Sequence, residues 1–508
     1  DLQFVGYRVM GRNGSYSDGE QSLIAIRPSS TPVTESYPFY MSPSANEYSM
    51  KLPQVDKNAS VTFQYCDNPV WYCVTALPDM SFDKSASILS RADALYGNAI
   101  AAGLAGEYPA LRQALKAWSE AGDSTLVSNL QKDAKLKIVA LENTPWVNDA
   151  AAETLRMSRL VNLLDTAANV QAVRDAIEDL AAAQNGNGGW SWCPGMDASA
   201  YITGQILWRL GMLKSMGYLP DDSKVGRMVA KGLKYVDSDI VKDYKKYGDI
   251  SESTMLNWLY IRSFFVSPST DATFLKLQKT ALADIKKNWK KYDIYDKATA
   301  ATLLWREKYP MESRSILESL RQSASKSAER GAWFDNLRAG VFTPHNTLIT
   351  TTQALEAFNE IEPGSPMVDA LRQWLIIERQ AQDWGNTAQL AEVVYAVLTS
   401  GSKWTESSAP AVVTLNGKAV EPSRRDLLTG AFTVQLPAVE ASGAELRVVK
   451  SGSHQSWGGV MAQYIAPINT VKQFSESDVS VRKRVLVVTE DAAGETVAPA
   501  SGRLKVGQ

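Results

Sequence analysis

A chain of 508 residues can bury more than one core and reads as three or more domains. Its 53 basic and 55 acidic residues nearly cancel, so no basic footprint points to nucleic acid. An apolar share of 45% is that of an ordinary globular protein, and no apolar run is long enough to span a bilayer. The chain opens at Asp1, with strand-like Phe4-Val5-Gly6-Tyr7-Arg8-Val9 close behind and no visible targeting segment. It therefore reads as a fragment of a longer protein.

Residues 1 to about 62 have the period of β structure. Tyr7–Met10, Leu23–Ile26, Tyr48–Leu52 and Ser60–Phe63 alternate apolar and polar residues. Turn residues separate them at Gly11-Arg12-Asn13-Gly14, Ser17-Asp18-Gly19 and Pro28-Ser29-Ser30. The period changes near Asn68. Pro69 to Leu77 carries Pro in a first helical turn and apolar residues all round, which predicts one buried helix. Helices then dominate to about Ser402: Ser85–Ala105, Leu111–Ala121, Asp149–Leu164, Val170–Gln184, Asp222–Val236, Ala272–Lys291, Glu312–Lys326 and Pro366–Gln380.

Between these helices one pattern recurs. Gly188-Gly189-Trp190-Ser191-Trp192 runs through Asp197, read as an N-cap, into a helix with Ile202, Ile206, Leu207, Leu210 and Leu213 on one face. Gly331-Ala332-Trp333-Phe334-Asp335 precedes a helix with Ala354, Leu355, Phe358 and Ile361. Asp383-Trp384-Gly385-Asn386 precedes one with Leu390, Val393, Val394 and Val397. Weaker copies begin at Asp249 and Asp293. Strongly apolar helices thus alternate with longer ones rich in Lys, Glu and Arg. The apolar set is expected inside and the charged set outside. About six pairs closing on themselves make an α/α toroid; an open solenoid has the same local pattern. After Trp404 period two returns. Ala411–Leu415, the turn Asn416-Gly417 and Lys418–Val420 form a hairpin signature, followed by Phe432–Leu436, Glu445–Val449, Gly459–Tyr464 and Val479–Val487. The predicted fold is α+β and multidomain: an α/α toroid inserted between two parts of an antiparallel β-sandwich, with further β segments at the termini.

Few residues offer chemistry. Cys66, Cys73 and Cys193 are too few for a disulfide framework, and Cys66 and Cys73, if both helical, lie about 10 Å apart. All three read as buried apolar cysteines. Two histidines, His345 and His454, with no Cys-x-x-Cys, leave no recognisable metal site. His345 reads as a loop residue. Asp197, Asp249, Glu252, Asp335 and Asp383 in the repeated turns read as helix caps, the alternative being carboxylates gathered at one end of the barrel for glycosidic hydrolysis. The tryptophans beside the glycines read as core plugs. The lysine run Lys286-Lys287-Asn288-Trp289-Lys290-Lys291 reads as a solvated outer helix face. Hydrolase and nucleotide-binding motifs are missing, and no catalytic residue, cofactor or metal is assigned.

Several segments in this order resemble the C-terminal third of the bacterial α-2-macroglobulins. They are Ser17-Asp18-Gly19-Glu20 with Val33-Thr34-Glu35-Ser36; Asn68-Pro69-Val70-Trp71-Tyr72 with Ala76-Leu77-Pro78; Gly188–Trp192; Thr350-Thr351-Thr352-Gln353-Ala354-Leu355; Asn386-Thr387-Ala388-Gln389; and Ser456–Tyr464. The resemblance implies the end of a macroglobulin-like domain at 1–32, a CUB-like β domain in two parts at 33–64 and 405–467, a thioester-type toroid at 65–404, and the start of a further macroglobulin-like domain at 468–508. It implies an inhibitor that traps proteases, placed in the periplasm or anchored at the outer membrane, with proteases and other envelope proteins as partners. In that family a thioester joins a Cys to a Gln three residues on. Here Cys66-Asp67-Asn68-Pro69 stands at that place, Cys73 is followed by Ala76 and Cys193 by Met196, so no such bond can form. The expected inhibitor is a steric trap. The alternatives are a carbohydrate-active toroid enzyme and a non-catalytic interaction scaffold.

Overall fold

The computed structural model describes residues 4–25, 29–74, 76–81, 87–108, 111, 159–160, 163–164, 166–327, 330–335, 346–381, 387–401, 409–422, 425, 430–467, 470–471, 486–491 and 494–499. Antiparallel sheets flank a long helical region. Residues 36–462 form one compact unit; residues 1–35 with 463–508 form another.

The first strands are β1 (Phe4–Asn13), β2 (Tyr16–Ala25), β3 (Ser30–Met41), β4 (Glu47–Lys51) and β5 (Ser60–Cys66). Ser17-Asp18-Gly19, expected as a turn, lies inside β2 opposite Arg12, Gly11 and Met10; of the expected turn Gly11–Gly14, Gly11 to Asn13 belong to β1 and the hairpin turns at Gly14, whose φ is +60°. Strand β3 has no clear strand signal in the sequence, because Pro32 and Pro38 interrupt its pattern. It is an edge strand, where missing N–H donors are tolerated. The single helix expected over Pro69–Leu77 is two short ones, α1 (Trp71–Val74) and α2 (Leu77–Ser81). Pro78 supplies no N–H to the carbonyl of Val74, so the first helix cannot continue through it; Pro78 instead sits in the first turn of the second. The expected burial holds: Val70, Cys73, Val74, Ala76, Leu77 and Met80 are fully enclosed.

Then follow α3 (Ile88–Glu107), α4 (Thr166–Ala183), α5 (Ala200–Met216), α6 (Ser223–Tyr247), α7 (Glu252–Arg262), α8 (Ala272–Asn288), α9 (Ile294–Arg306), α10 (Pro310–Ser323), a short hairpin β6 (Ser325–Ser327) and β7 (Gly331–Trp333), α11 (Thr347–Ile361), α12 (Pro366–Ala381) and α13 (Thr387–Thr399). The helices expected at Leu111–Ala121 and Asp149–Leu164, and the turn at Asp383–Asn386, lie essentially outside the described residues.

Burial separates the helices into two kinds. α11 buries side chains around its whole circumference, from Ile349 through Phe358, whereas α8 buries only Phe274, Ala281, Leu282 and Ile285. The enclosed helices pack in sequence: α3 on α5, α5 on α7, α7 on α9, α9 on α11, α11 on α13, and α13 back on α3. The amphipathic ones lie against this circuit, α4 on α3, α6 on α5, α8 on α7, α10 on α9 and α12 on α11.

The repeated turns let the two sets approach. Gly188 and Gly331 have φ of +94° and +85°, and a Cβ there would stand 2.7 Å from the Lys231 carbonyl oxygen of α6 and 2.2 Å from the Ala370 carbonyl oxygen of α12. An aromatic residue just beyond is sealed in. The Trp190 N–H donates to Thr203 Oγ1 at 2.8 Å, and the Phe334 N–H to Thr351 Oγ1 at 3.1 Å. Side chains then cap the helices. Ser199, Ser251 and Asn346 accept from the amides of Ile202, Thr254 and Ile349, and Asp293 from Asp296.

The chain ends with β8 (Val412–Leu415), β9 (Lys418–Ala419), β10 (Phe432–Leu436), a helical turn α14 (Ala438–Ala441), β11 (Glu445–Val449), β12 (Ser456–Pro467), β13 (Leu486–Asp491) and β14 (Gly494–Pro499). Asn416 and Gly417 both have positive φ, the turn that Asn-Gly predicts. One sheet has the order β10-β5-β12-β3, the other β4-β11-β8-β9. Each sheet therefore combines strands from both sides of the helical region; they alternate in the first, and in the second β4 joins three strands that follow the helices. Phe39 of β3 stacks on Tyr48 of β4 at 4.3 Å, and Phe63, Tyr65 and Phe432 extend this aromatic core. In the other unit β1 pairs with β2 and β13 with β14.

Replacing Gly331 by Ala forces a side chain into a carbonyl at positive φ and is expected to lower stability by about 2 kcal/mol or more. Gly226→Ala, on an exposed turn of α6 with open space around it, is expected to raise it by up to about 1 kcal/mol. Urea denaturation of the two variants checks the pair.

Candidate functional site

Two buried polar clusters stand out in the unit 36–462. The first surrounds the place that the sequence resemblance assigns to a thioester. β5 ends at buried Cys66; the chain continues through buried Asp67 and Asn68 into α1, where Cys73 is wholly enclosed. Tyr65 donates its hydroxyl to Asp67 Oδ1 at 3.4 Å. Gly430, at φ +62°, passes so close that a Cβ would lie 2.6 Å from that of Asp67. Between β11 and β12, Lys450 Nζ donates to the carbonyls of Ser42 (3.0 Å) and His454.

Burial decides the charges here. It raises the Asp67 carboxyl, against the opposing pull of His454 and Lys450, lowers His454, and brings Lys450 down to about 8. From the helical side α12 contributes Asp369, raised by burial, and Arg372, lowered by it. Arg372 Nη1 is wedged against Gly401, whose missing Cβ would stand 2.2 Å away, while its Nε and Nη2 make no hydrogen bond. Tyr40 of β3 lies in the field of both α12 residues. Charged groups of α12 and of the β strands thus lie in one another's field, while Trp457 of β12 packs against the helical core.

The second cluster is threaded along the helical circuit. Arg209 (α5) donates from Nε to Asp93 Oδ1 (α3) at 2.5 Å, both nearly unexposed. Arg306 (α9) pairs with Glu356 at 2.9 Å and Glu360 at 2.7 Å (α11), and Tyr260 (α7) donates to Glu356 at 2.6 Å. Burial raises Glu356 to about 7 and Glu392 (α13) to about 8.

Among the described residues, the carboxylates singled out in the sequence stand at separate turns of the chain. Asp197 and Asp249 stand two residues ahead of the true caps, Ser199 and Ser251, too far back to reach the first free amides. Glu252 accepts from Asn288 Nδ2 at 3.3 Å and from the Tyr292 hydroxyl. Asp335 accepts from Ser325 Oγ at 2.8 Å and Trp333 Nε1 at 2.9 Å, which fastens the β6–β7 hairpin rather than a helix end. Asp383 and His345 lie outside the described residues. Among the described residues, no group of three or more His, Cys, Asp or Glu is placed to hold a metal ion.

Other expectations divide. Trp190 is a core plug, its Nε1 bonded to the Leu180 carbonyl at 2.8 Å. Trp192, expected to be one too, is 52% exposed and stacks on Tyr201. Cys193 is exposed, because it rides on the same protruding turn, whereas Cys66 and Cys73 are buried. In the lysine run Lys287, Lys290 and Lys291 are solvated, and Lys286 pairs with Glu312 at 3.3 Å. His454 and the acids of both clusters gave little signal, being single polar residues within apolar helices or in connections. Asp93, Arg209 and Glu356 were detectable only as charges on faces that should be apolar.

No protein-family model matches this sequence, and neither does any curated protein. Among solved structures, the native Escherichia coli α-2-macroglobulin aligns over 96% of this chain and 26% of its own length, at 12% identity and a TM-score of 0.44. An E. coli α-2-macroglobulin structure spanning domain MG7 to the C-terminus aligns over 96% of this chain and 65% of its own, at 12% identity and a TM-score of 0.43. The Salmonella α-2-macroglobulin reacted with methylamine gives 13% identity, 97% and 28% coverage, and a TM-score of 0.40. The chain thus spans about a quarter of the full-length proteins it resembles.

Thiol-reactive dye added to the native chain is expected to modify Cys193 promptly and Cys66 and Cys73 only after unfolding. Arg306→Ala strands a buried carboxylate at Glu356 and is expected to cost about 3–5 kcal/mol in a denaturation experiment.

Proposed function

We propose that this chain is part of an α-2-macroglobulin-like protein that inhibits endopeptidases by enclosing them, without covalent capture. The observation that carries this reading is the strand order of the two sheets. β5 pairs with β10 and β4 with β11, although the entire helical region separates them in sequence. We read this pairing as a β-sandwich interrupted by a helical insert: a CUB-like domain at 33–64 and 405–467 around an α/α toroid at 65–404. The remaining segments, 1–32 and 468–508, are read as parts of two macroglobulin-like domains. The motif order from Asn68 to Tyr464 agrees with this reading.

The steric mechanism follows from the residues at the family's thioester position. Acylating the Cys66 thiol needs a glutamine carbonyl three residues on, and Pro69 has no such group. Cys66 is buried at the end of a strand beside Asp67. Capture would therefore rely on a change in the arrangement of domains around the bound protease. Proteases are the inferred partners, and the cell envelope the inferred location, because the motif resemblance is to bacterial envelope inhibitors. The reading as a carbohydrate-active enzyme has less support, since Glu252 and Asp335 are each engaged by neighbouring side chains.

Two measurements test the proposal. With the full-length protein cut by a broad-specificity protease, activity on a large protein substrate is expected to fall while activity on a small peptide persists; undiminished cleavage of the large substrate counts against trapping. Methylamine treatment is expected to release no thiol, in contrast to a protein holding a thioester.

A further inference from the structure

The closing seam of the helical circuit has a charge imbalance. α13 completes the circuit by packing on α3 and α5. The Tyr96 hydroxyl of α3 donates to the Ala391 carbonyl of α13 at 3.1 Å, and the Tyr395 hydroxyl of α13 to Ser215 Oγ on α5 at 3.0 Å. Beside Ala391 stands Glu392, whose Oε2 is buried and makes no hydrogen bond. The guanidinium in its field is that of Arg209, which pairs with Asp93 through Nε and with Gln205 through Nη1; its Nη2 makes no hydrogen bond, to Glu392 or to any other group. Arg306, the other guanidinium of the cluster, is shared by Glu356 and Glu360. Two guanidiniums thus face four carboxyl groups, Glu360 being the more exposed of them.

A buried, unpaired carboxylate is not tolerated in a low-dielectric interior; the group takes up a proton instead. The other neighbours give no relief. Tyr96 (α3), Tyr295 (α9) and Tyr395 (α13) are neutral phenols, their ionisation suppressed by burial, and Glu356 (α11) adds negative charge. α1, α2 and α12 also touch α13. They carry Cys73, Asp79 and the pair Asp369 and Arg372, the last two turned toward Tyr40 and Lys450. We propose that the circuit is closed with a proton in place: Glu392 is a neutral carboxylic acid in the folded chain, and its ionisation loosens the packing of α13 on α3 and α5. This goes beyond protease trapping and does not depend on it.

The direction of the pH effect follows. Glu392 is raised from 4.5 to about 8. The folded chain therefore holds a proton that the unfolded chain has released throughout that window, and stability falls as pH rises from 4.5 to about 8. Glu356, raised to about 7, acts in the same sense. Below 4.5 the contribution of Glu392 is complete; above about 8 it is gone.

Glu392→Gln keeps the shape and removes the charge. Thermal melts from pH 5 to pH 9 should show wild type and variant close together at pH 5, with the variant melting several degrees higher at pH 8 and its pH slope reduced. Hydrogen exchange of α13, corrected for intrinsic rate, should increase above pH 8 in the wild type alone. Identical pH slopes for the two proteins overturn the proposal. The native wild type also gives an answer independent of the variant: at pH 6.5 its infrared spectrum should contain the carbonyl stretch of a protonated carboxylic acid that disappears in urea, and absence of that band overturns the proposal as well.

Discussion

A helix that is apolar on every side must be covered on every side, and six of the described helices share that need. An open row would leave the first and last with a bare face. Returning α13 to α3 removes both exposed ends at once. The amphipathic helices then cover what still faces outward, and their own polar sides supply the solvated surface. The glycines of the repeated turns follow from the same demand. An inner helix and the outer helix beside it come close enough for tight packing only where Gly188 and Gly331 let a carbonyl sit where a side chain would otherwise be.

Enclosure on all sides also seals in any polar group that an inner helix carries. Thr203, Thr299, Thr302 and Thr351 are completely buried, and each has a backbone partner. The ionised groups are more demanding. Asp93 with Arg209, and Arg306 with Glu356, each join two consecutive inner helices of the circuit by a buried ion pair. A body held by a few buried charges is sensitive to any event that removes one of them.

Placing the helical region between β5 and β8 costs little in chain entropy, because the cost of closing a loop grows only slowly with its length. A folded insert whose ends lie near one another costs less still. The circuit supplies that geometry, since α13 returns to the neighbourhood of α1 and α2. The strands on either side can then pair as though the insert were a short connection.

Local chemistry was legible in the sequence wherever a period or a turn residue carried it. The alternation of β10 and β11, the Asn416-Gly417 turn, the apolar character of α5 and α11 and the two-kind alternation of helices all depend on residues a few positions apart. The interrupted first helix was legible too, through Pro78, but apolarity drew the reading across it. What the sequence could not rank was which oxygen caps a helix: Ser199 and Ser251 take the places expected of Asp197 and Asp249, because reach from the first turn outweighs charge. Strand partners and buried charge pairs belong to the tertiary structure alone. Asp93 meets Arg209 and Glu47 meets Arg447 across hundreds of residues or more than one helix, and no local pattern encodes such distances. Periodicity determines which face of an element must be hidden; only the assembled chain decides what hides it.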